Sequence, residues 1–252
     1  MAQLHDVVYI VYSSSRLPST IVRFNATTRQ QLTDIRVRGL QEPWDIAACE
    51  PTSQLYIVQY GDYVWCVSAD GADMRRLVTR SSSGKFRPTS LSVASARLLV
   101  TSRYTNQLIQ FGSFGDELRR IQLPDHMEPF HAVESPTATF IVSQENTQLK
   151  QWQISEVNTD GQVLRQFTGS RLSSLGCTQH IAIDSHGNVF VADSDNGCIL
   201  LLDDQLTLRR RIIDKHQLRD KRLCRLCYRE PTGQLLVGSY FRVAVFYVLK
   251  AR

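Results

Sequence analysis

The chain lacks long hydrophobic runs and strong enrichment in any residue class. Its 252 residues are 42% hydrophobic and 21% charged, with a formal net charge of +5. That composition is typical of a globular protein and excludes a collagen-like or disordered chain. No apolar run approaches the ~20 residues that a membrane-spanning helix needs. Residues 1–6 have neither the basic start nor the apolar stretch of a signal peptide, so we expect a cytoplasmic protein without membrane contact.

Several motifs of well-known enzyme classes are also absent. The sequence contains no glycine-rich phosphate loop, no nucleophile elbow and no HExxH. Cys224 and Cys227 form a CxxC, but no second CxxC completes a four-ligand zinc site. Without an export signal, we expect the six cysteines to be free thiols in a reducing compartment. These absences favour a chain that is not an enzyme and needs no cofactor.

An internal repeat is the strongest positive signal. A short apolar run of strand-forming residues recurs every 41–50 residues, a period typical of stacked or radial repeat proteins. We align the six copies on one central residue each: Ile10, Ile57, Val100, Ile141, Val191 and Val237. The run Glu-Pro-Thr-x-Gln-Leu occurs at both 50–55 and 230–235, which supports this register.

Each repeat is interpreted as four short antiparallel strands. In the fifth repeat, apolar segments at 181–183, 189–192, 199–202 and 206–213 are separated by turn residues. Period-two alternation with a turn every 8–12 residues predicts antiparallel β structure, and no segment has a sustained helical period. Six such repeats predict an all-β, six-bladed β-propeller of four-stranded antiparallel blades, in which radial repetition leaves few exposed edges.

The fifth repeat also resembles a known family. Residues 180–197 resemble an NHL repeat, with apolar-x-apolar-Asp ending at Asp184, Gly187-Asn188, Val-Ala-Asp ending at Asp193, and Asn-Gly at 196–197. The resemblance implies a six-bladed propeller over residues 1–252, a single NHL-type domain. In that family such propellers often end tripartite-motif proteins, where they bind partners while RING and B-box domains, absent here, do the ubiquitin chemistry.

The two ends of the chain predict incomplete blades. The first repeat is interpreted as starting at its second strand, and the last, residues 225–249, as stopping after its third.

Antiparallel strand order predicts which loops share a face. The connections between second and third strands lie at the same end as the segments preceding each first strand. This loop face collects arginines and aromatic residues, which suit protein hot spots and also stacking on bases. We therefore predict a binding module for a protein segment or single-stranded RNA, with no small-molecule substrate. The predicted partner-binding residues are Arg16, Tyr60, Tyr63, Arg103, Tyr104, Arg222, Arg225, Tyr240, Phe241 and Arg242.

Two features of this face have simpler explanations. Trp44 and Phe130 precede a first strand and are interpreted as packing between blades. Residues 209–229 hold nine Lys or Arg against two Asp. They are interpreted as a solvated outer strand and loop, with docking of phosphate or an acidic peptide as the alternative.

Paired histidines suggest an alternative function. His131 and His180 occupy equivalent positions before the first strand of repeats four and five, and the equivalents elsewhere are Asp45, Ser90 and Arg225. The sequence is similar to six-bladed zinc lyases acting on peptidyl-hydroxyglycine, and to lactonase propellers, which implies a metal at the central channel as the alternative. A catalytic zinc needs three protein ligands, for which Asp45 would be the third, but Arg225 disfavours a cation. We therefore predict no metal.

Overall fold

The computed structural model describes residues 1–12, 19–59, 63–79, 86–170, 173–214, 216–217, 223–239 and 243–248. Helical structure within these ranges is limited to two short 3₁₀ turns, Arg103–Thr105 and Glu230–Thr232. None of the described helices is long and apolar enough to cross a membrane. Contacts divide the chain into an N-terminal unit, Met1–Ile121, and a C-terminal unit, Gln122–Arg252.

The N-terminal unit contains three four-stranded antiparallel sheets, called sheets 1 to 3, each with its strands in chain order. Its strands are β1 (Ala2–Leu4), β2 (Val7–Tyr12), β3 (Thr20–Asn25), β4 (Gln31–Arg36), β5 (Pro43–Cys49), β6 (Gln54–Gln59), β7 (Tyr63–Ser68), β8 (Met74–Thr79), β9 (Ser90–Ala94), β10 (Arg97–Ser102), β11 (Gln107–Phe111) and β12 (Glu117–Gln122).

The C-terminal unit contains sheets 4 and 5 with four strands and sheet 6 with three, and a small hairpin, β17–β18, follows sheet 4. Its strands are β13 (Met127–Glu134), β14 (Phe140–Asn146), β15 (Gln151–Val157), β16 (Val163–Phe167), β17 (Gly169–Ser170), β18 (Ser173–Ser174), β19 (Thr178–Ile183), β20 (Val189–Asp193), β21 (Cys198–Leu202), β22 (Leu208–Ile213), β23 (Leu223–Arg229), β24 (Gln234–Ser239) and β25 (Val243–Tyr247).

Strand composition follows the position of each strand in its sheet. The second strand of sheet 5, β20, is buried at all five positions, because neighbouring sheets cover both of its faces. The fourth strand, β22, is exposed at its three central arginines. A strand covered on both sides becomes continuously apolar, whereas an outer strand that faces water becomes polar and interrupts the alternation.

The hydrophobic core consists of layers between successive sheets of one unit. In the N-terminal unit, one cluster joins sheets 1 and 2 and a second joins sheets 2 and 3. In the C-terminal unit, one cluster joins sheets 4 and 5 and another joins sheets 5 and 6. The first strands of successive sheets therefore lie beside one another within each unit.

Asx turns close the hairpins at the ends opposite the loop face. Asp184 Oδ1 accepts hydrogen bonds from the backbone N–H of His186 at 3.0 Å and of Asn188 at 2.8 Å. Gly187 lies in the left-handed region at φ +85°, where a residue without a Cβ is favoured. Asp203 and Asn158 accept backbone N–H bonds in the same way in the turns between the third and fourth strands of sheets 5 and 4. Polar turn residues therefore satisfy the backbone at the sheet ends.

The architecture confirms the predicted fold class, an all-β, six-bladed β-propeller with almost no helix. Sheets 1 to 5 have four strands, and sheet 6 has three among the described residues. The interpretation that the first repeat starts at its second strand is wrong, because Ala2–Leu4 pairs with β2 as a first strand. Three residues were too few to show the period-two alternation on which that interpretation depended.

Candidate functional site

A β-bulge recurs near the start of the first strand in four sheets. The register shifts between Pro43 and Asp45 in β5, and at the corresponding positions of β13, β19 and β23. A bulge sets two residues against one, bends the strand and redirects the next side chain. The residues that follow the four bulges are Asp45, His131, His180 and Arg225.

Strand pairing shows that these residues are structurally equivalent. Asp45 pairs with Val58, His131 with Ser143, His180 with Ala192 and Arg225 with Gly238, while Ser90 of β9 pairs with Thr101. The five partner residues occupy equivalent positions in the second strands of their sheets. Ionisable or polar side chains therefore occur at one register position of five sheets.

In the N-terminal unit, Asp45 connects the starts of two first strands. The side chain is 1% exposed. Its Oδ1 accepts the N–H of Ile46 at 2.9 Å, and its Oδ2 accepts the N–H of Leu91 in β9 at 3.0 Å. A carboxylate bonded by backbone donors from two sheets holds the starts of β5 and β9 at one end of the unit.

Further hydrogen bonds bring the connection between β10 and β11 to the same end. The N–H of Arg103 donates to Thr89 Oγ1 at 3.3 Å, and that hydroxyl donates to the Thr101 carbonyl at 3.0 Å. Ser102 Oγ accepts the N–H of Arg87 at 3.3 Å. We call the segments 43–45, 87–90 and 103–106 the loop end of the N-terminal unit.

Two exposed aromatic residues lie at this loop end. Trp44 is 54% exposed and Tyr104 is 52% exposed. The Arg87 guanidinium lies over the Tyr104 ring, 5.5 Å from its centroid, a cation–π arrangement. The interpretation of Trp44 as packing between blades is wrong, because the bulge at position 44 turns this side chain towards solvent. Phe130, by contrast, is half-buried and packs on Trp152 at 4.5 Å between centroids.

Other predicted partner-binding residues have different surroundings. Tyr63 is half-buried, with the Arg76 guanidinium 4.3 Å from its ring centroid. Arg225 is half-buried in β23. The remaining predicted residues lie outside the described ranges, namely Arg16, Tyr60, Arg222, Tyr240, Phe241 and Arg242.

In the C-terminal unit, the bulges bring two histidines together. The rings of His131 and His180 stack with centroids 3.7 Å apart and an interplanar angle of 28°. The side chains are 1% and 7% exposed. The backbone N–H of Leu226 donates to His180 Nδ1 at 3.3 Å, so a neutral His180 carries its proton on Nε2.

The surroundings of His180 favour the neutral ring. Burial lowers the pKa of this imidazole well below its ordinary value, and the neighbouring His131 and the Arg225 cation lower it further. A neutral, buried imidazole with a fixed tautomer is suited to donating a hydrogen bond or exchanging a proton.

Buried hydroxyls lie on the same face as the histidine pair. Ser143, opposite His131, donates to the Thr178 carbonyl and lies 2.9 Å from Thr178 Oγ1. Both residues are fully buried. Sequence reasoning missed them, although a signal existed, since Ser143 directly follows the apolar run at 140–142 and occupies the register position of Val58.

The basic segment is only partly described. Arg209, Arg210 and Arg211 are exposed on β22, the outer strand of sheet 5, and Arg209 pairs with Asp203 at 3.0 Å. This placement agrees with a solvated outer strand. Lys215, Arg219, Lys221 and Arg222 lie outside the described residues, so docking at this segment stays a prediction.

No disulfide joins Cys49, Cys66, Cys177, Cys198 or Cys227. Three are buried, and burial raises the pKa of Cys198 to about 11.

Comparisons with known proteins show the fold. No family model matches the chain, and no curated protein matches it. A catalytically inactive His-to-Ala variant of virginiamycin B lyase from Staphylococcus aureus, solved with quinupristin, is 11% identical with a TM-score of 0.64, covering 93% of this chain and 78% of that one. The matching chain of the nidogen/laminin complex is 15% identical with a TM-score of 0.65, and the match covers 84% of this chain and 78% of that one.

A third similar structure, a candidate 6-phosphogluconolactonase from Bacteroides fragilis, is 13% identical with a TM-score of 0.63, covering 96% of this chain and 77% of that one. All three share the propeller fold with this chain.

One prediction is corrected by these comparisons. The prediction that the chain is not an enzyme is wrong, because it excluded catalysis. Propellers of this fold include a lyase and a candidate lactonase. The missing motifs belong to other folds. A propeller builds a site from residues on separate strands, so the absence of a short linear motif does not exclude catalysis.

Proposed function

We propose that the chain binds an extended segment of a partner protein at the loop end of the N-terminal unit. The observation that carries this proposal is the pair of half-exposed aromatic residues, Trp44 at the start of β5 and Tyr104 between β10 and β11, which hydrogen bonds hold at one end of the unit. Exposed aromatic and arginine side chains on a rigid scaffold are the residues that dominate protein interfaces. The nidogen/laminin structure is a complex between proteins that includes a fold of this kind.

The surroundings of Tyr104 favour a protein over RNA. The Arg87 guanidinium lies over one face of the ring and so occupies a face on which a base could stack. An arginine held on a tyrosine presents a cation beside an apolar surface, which suits a peptide with an acidic and an apolar residue.

A peptide selection tests this proposal. Random twelve-residue peptides would be selected on the wild-type chain and measured against Tyr104→Ala and Phe114→Ala. Phe114 is a matched control, since it is 82% exposed on the same sheet in the connection between β11 and β12, at the opposite end. We expect Tyr104→Ala to weaken binding at least about tenfold, the loss typical of an interface anchor, and Phe114→Ala to have no effect.

Two results contradict the proposal. Selected peptides could bind Tyr104→Ala as tightly as the wild type. Alternatively, a fluorescent oligouridine could bind with a steep salt dependence while no peptide binds, which would assign the surface to RNA.

We also propose that the chain is a single NHL-type propeller domain acting in a reducing compartment, as in tripartite-motif proteins. The NHL-like residues have structural roles that support this kinship. Asp184 caps a turn. Asp193 accepts hydrogen bonds from the N–H and the Nδ2 of Asn196. The absence of a disulfide at Cys49, Cys66 and Cys198 agrees with a reducing compartment.

A second candidate function is proton transfer at the histidine pair. The stacked His131 and His180, with a neutral His180 beside Arg225, favour it. The inactive His-to-Ala variant of the similar lyase supports it by analogy of fold. The test is turnover of quinupristin and of simple lactones. Loss in His180→Gln, but not in the exposed His216→Gln, is expected, and equal turnover in both variants would reject this candidate.

A further inference from the structure

A cavity of about 280 Å³ lies between sheets 4 and 5 of the C-terminal unit. Its apolar walls include three buried side chains, since Phe167, Leu175 and Leu200 are 8%, 4% and 7% exposed. Asp193 at the end of β20 and Arg211 of β22 also line it. A cavity of about 150 Å³ in a protein core can bind benzene. This cavity therefore has room for a ring system larger than benzene.

A tryptophan fills the equivalent place between sheets 1 and 2. Trp65 pairs with Ile57 and Leu200 pairs with Val191, which are the central residues of repeats two and five. Trp65 and Leu200 are therefore equivalent residues of their third strands. Trp65 is 7% exposed and belongs to the core cluster between sheets 1 and 2. Because leucine is much smaller than tryptophan, the cavity lies where sheet 5 lacks the ring that sheet 2 has.

The walls of the two places also correspond. Three apolar residues that pack in the cluster of Trp65 have equivalents that line the cavity. The pairs are Ile35 and Phe167, Leu40 and Leu175, and Met74 and Leu208. The cavity thus keeps the apolar surroundings that hold an indole ring in sheet 2.

The hydrogen-bond acceptor of the tryptophan has an equivalent at the cavity. Trp65 Nε1 donates to Gln59 Oε1 at 3.1 Å, and this oxygen also accepts a backbone N–H from the segment before β5 at 3.2 Å. Asp193 ends β20 as Gln59 ends β6, and its Oδ2 accepts a backbone N–H from the segment before β19 at 3.4 Å. Among the described residues, Asp193 Oδ1 accepts only the N–H of Asn196. A carboxylate oxygen has two lone pairs, so Oδ1 can accept a further donor.

The arginine beside the tryptophan is also repeated. Arg76 of β8 pairs with Trp65, and Arg211 occupies the equivalent position of β22. The Arg76 guanidinium lies 5.1 Å from the centroid of the Trp65 ring and 4.3 Å from that of the Tyr63 ring. Cys198 is the equivalent of Tyr63, and in the described part of the chain Arg211 has no cation–π contact. Sheet 5 therefore keeps the cation and the acceptor but lacks the ring between them.

We propose that this cavity binds a free indole-like compound, a planar aromatic molecule with one N–H donor. The ring takes the place that Trp65 occupies in sheet 2, with the apolar walls around it and the Arg211 guanidinium over one face. Its N–H donates to the Asp193 carboxylate. Both a cation over an aromatic face and a hydrogen bond to a carboxylate are strong interactions where water is excluded.

The burial of the walls favours a free compound over a side chain of a partner protein. Phe167, Leu175 and Leu200 are all less than a tenth exposed. A tryptophan of a partner would have to bring its backbone between the two sheets together with its ring. A free compound needs space for the ring alone, and the cavity provides that space.

Binding of 5-fluoroindole to the wild-type chain, followed by fluorine NMR, tests the proposal. We expect a Kd below about 1 mM, a modest affinity for so small a ligand. Unlabelled indole should displace the probe. Benzothiophene has nearly the same shape but no N–H, and it should displace the probe at least about tenfold less effectively, since a hydrogen bond to a charged acceptor contributes about that much. N-acetyltryptophanamide, which carries a backbone, should also be at least about tenfold less effective than indole.

Variants of the cavity locate the binding site. Arg211→Gln is expected to weaken 5-fluoroindole binding about fivefold, because it removes the cation over the ring. Arg210→Gln is the matched control, since it removes the same charge from the adjacent residue of β22, whose side chain points to the other face of the sheet. Leu200→Trp fills the cavity, so it should abolish binding and raise the melting temperature by about 2 °C or more. If Leu200→Trp does not fold, Leu200→Phe replaces it, and binding should weaken at least about tenfold.

Four outcomes overturn the inference. The probe shows no binding to the wild-type chain at about 1 mM. Arg211→Gln binds as tightly as Arg210→Gln, which places the ligand elsewhere. Benzothiophene competes as well as indole, which contradicts the hydrogen bond to Asp193. N-acetyltryptophanamide competes as well as indole, which makes the occupant a tryptophan of a partner protein rather than a free compound.

Discussion

Stability towards acid should depend on His180. This side chain is 7% exposed, and its pKa in the folded chain lies well below the ordinary value of 6.5. Burial is the main cause, and His131 and Arg225 add to it. In the unfolded chain the same side chain regains a pKa of about 6.5. Below that pH the unfolded chain takes up a proton that the folded chain does not.

The sign and size of the effect follow from linkage. Stability rises with pH wherever the unfolded state binds more protons. The contribution of His180 is therefore complete above pH 6.5 and is lost as pH falls towards the folded pKa. Between pH 7.5 and pH 5.5 one such histidine lowers the free energy of unfolding by about 1 kcal/mol, and the loss continues at lower pH until the folded pKa is reached.

Urea titrations at pH 7.5 and pH 5.5 measure this difference. His180→Gln removes the titrating group while its side-chain carbonyl still accepts the Leu226 N–H. We expect the free energy of unfolding of the variant to fall by about 1 kcal/mol less than that of the wild type between the two pH values. His216→Gln, at an exposed histidine, should keep the wild-type dependence. An unchanged dependence in His180→Gln would refute the assignment of a buried neutral imidazole.

Three further predictions concern turns and thiols. Asp184→Ala removes the acceptor of two backbone N–H bonds and should lower stability by about 1 kcal/mol in urea titration, whereas a change below about 0.3 kcal/mol would contradict the role of this cap. Gly187→Ala places a Cβ at φ +85° and 3.1 Å from the Asp204 Cβ, and should cost about 1–2 kcal/mol by the same measurement; a neutral or stabilising effect would contradict the strain. Because the pKa of Cys198 is about 11, roughly one Cys198 thiol in a thousand is ionised at pH 8. Iodoacetamide should therefore modify Cys198 slowly until the chain is unfolded, as followed by mass spectrometry. Rapid modification of the folded chain would contradict this prediction.

The repeated bulge explains how an apolar scaffold presents polar groups. A first strand within a stack of sheets would normally carry apolar side chains towards its neighbours. The extra residue at positions 44, 130, 179 and 224 interrupts that alternation, so the next residue occupies a different environment. The stacking of His131 on His180 follows from this bulge. So do the two backbone hydrogen bonds that the Asp45 carboxylate accepts.

The fold was predictable because each strand carries its own local pattern. Apolar runs such as 189–192, with turn residues at 184–188, predict strands without reference to distant residues. The prediction failed where local information was too short, as in β1. It was displaced by one residue in the fourth repeat, where strand pairing places Val142, not Ile141, opposite the residue after His131.

The candidate sites were predictable only in part. The equivalence of His131 and His180 followed from repeat alignment, but their stacking and the neutral state of His180 did not, because both depend on burial between sheets. Trp44 was interpreted as packing between blades, because a tryptophan is usually buried and because no sequence pattern predicts the bulge at this position.

The amino-acid sequence by itself determined the number of repeats, the alternation of strands and turns, and the set of residues that occupy equivalent positions. These are local properties, since propensity and period act over a few residues. Only the tertiary structure decided which equivalent residues meet, which aromatic rings face water and that the His180 imidazole is neutral. The burial of His180 and its ring contact with His131 arise between strands that lie far apart in the chain, and short-range patterns carry no information about such contacts.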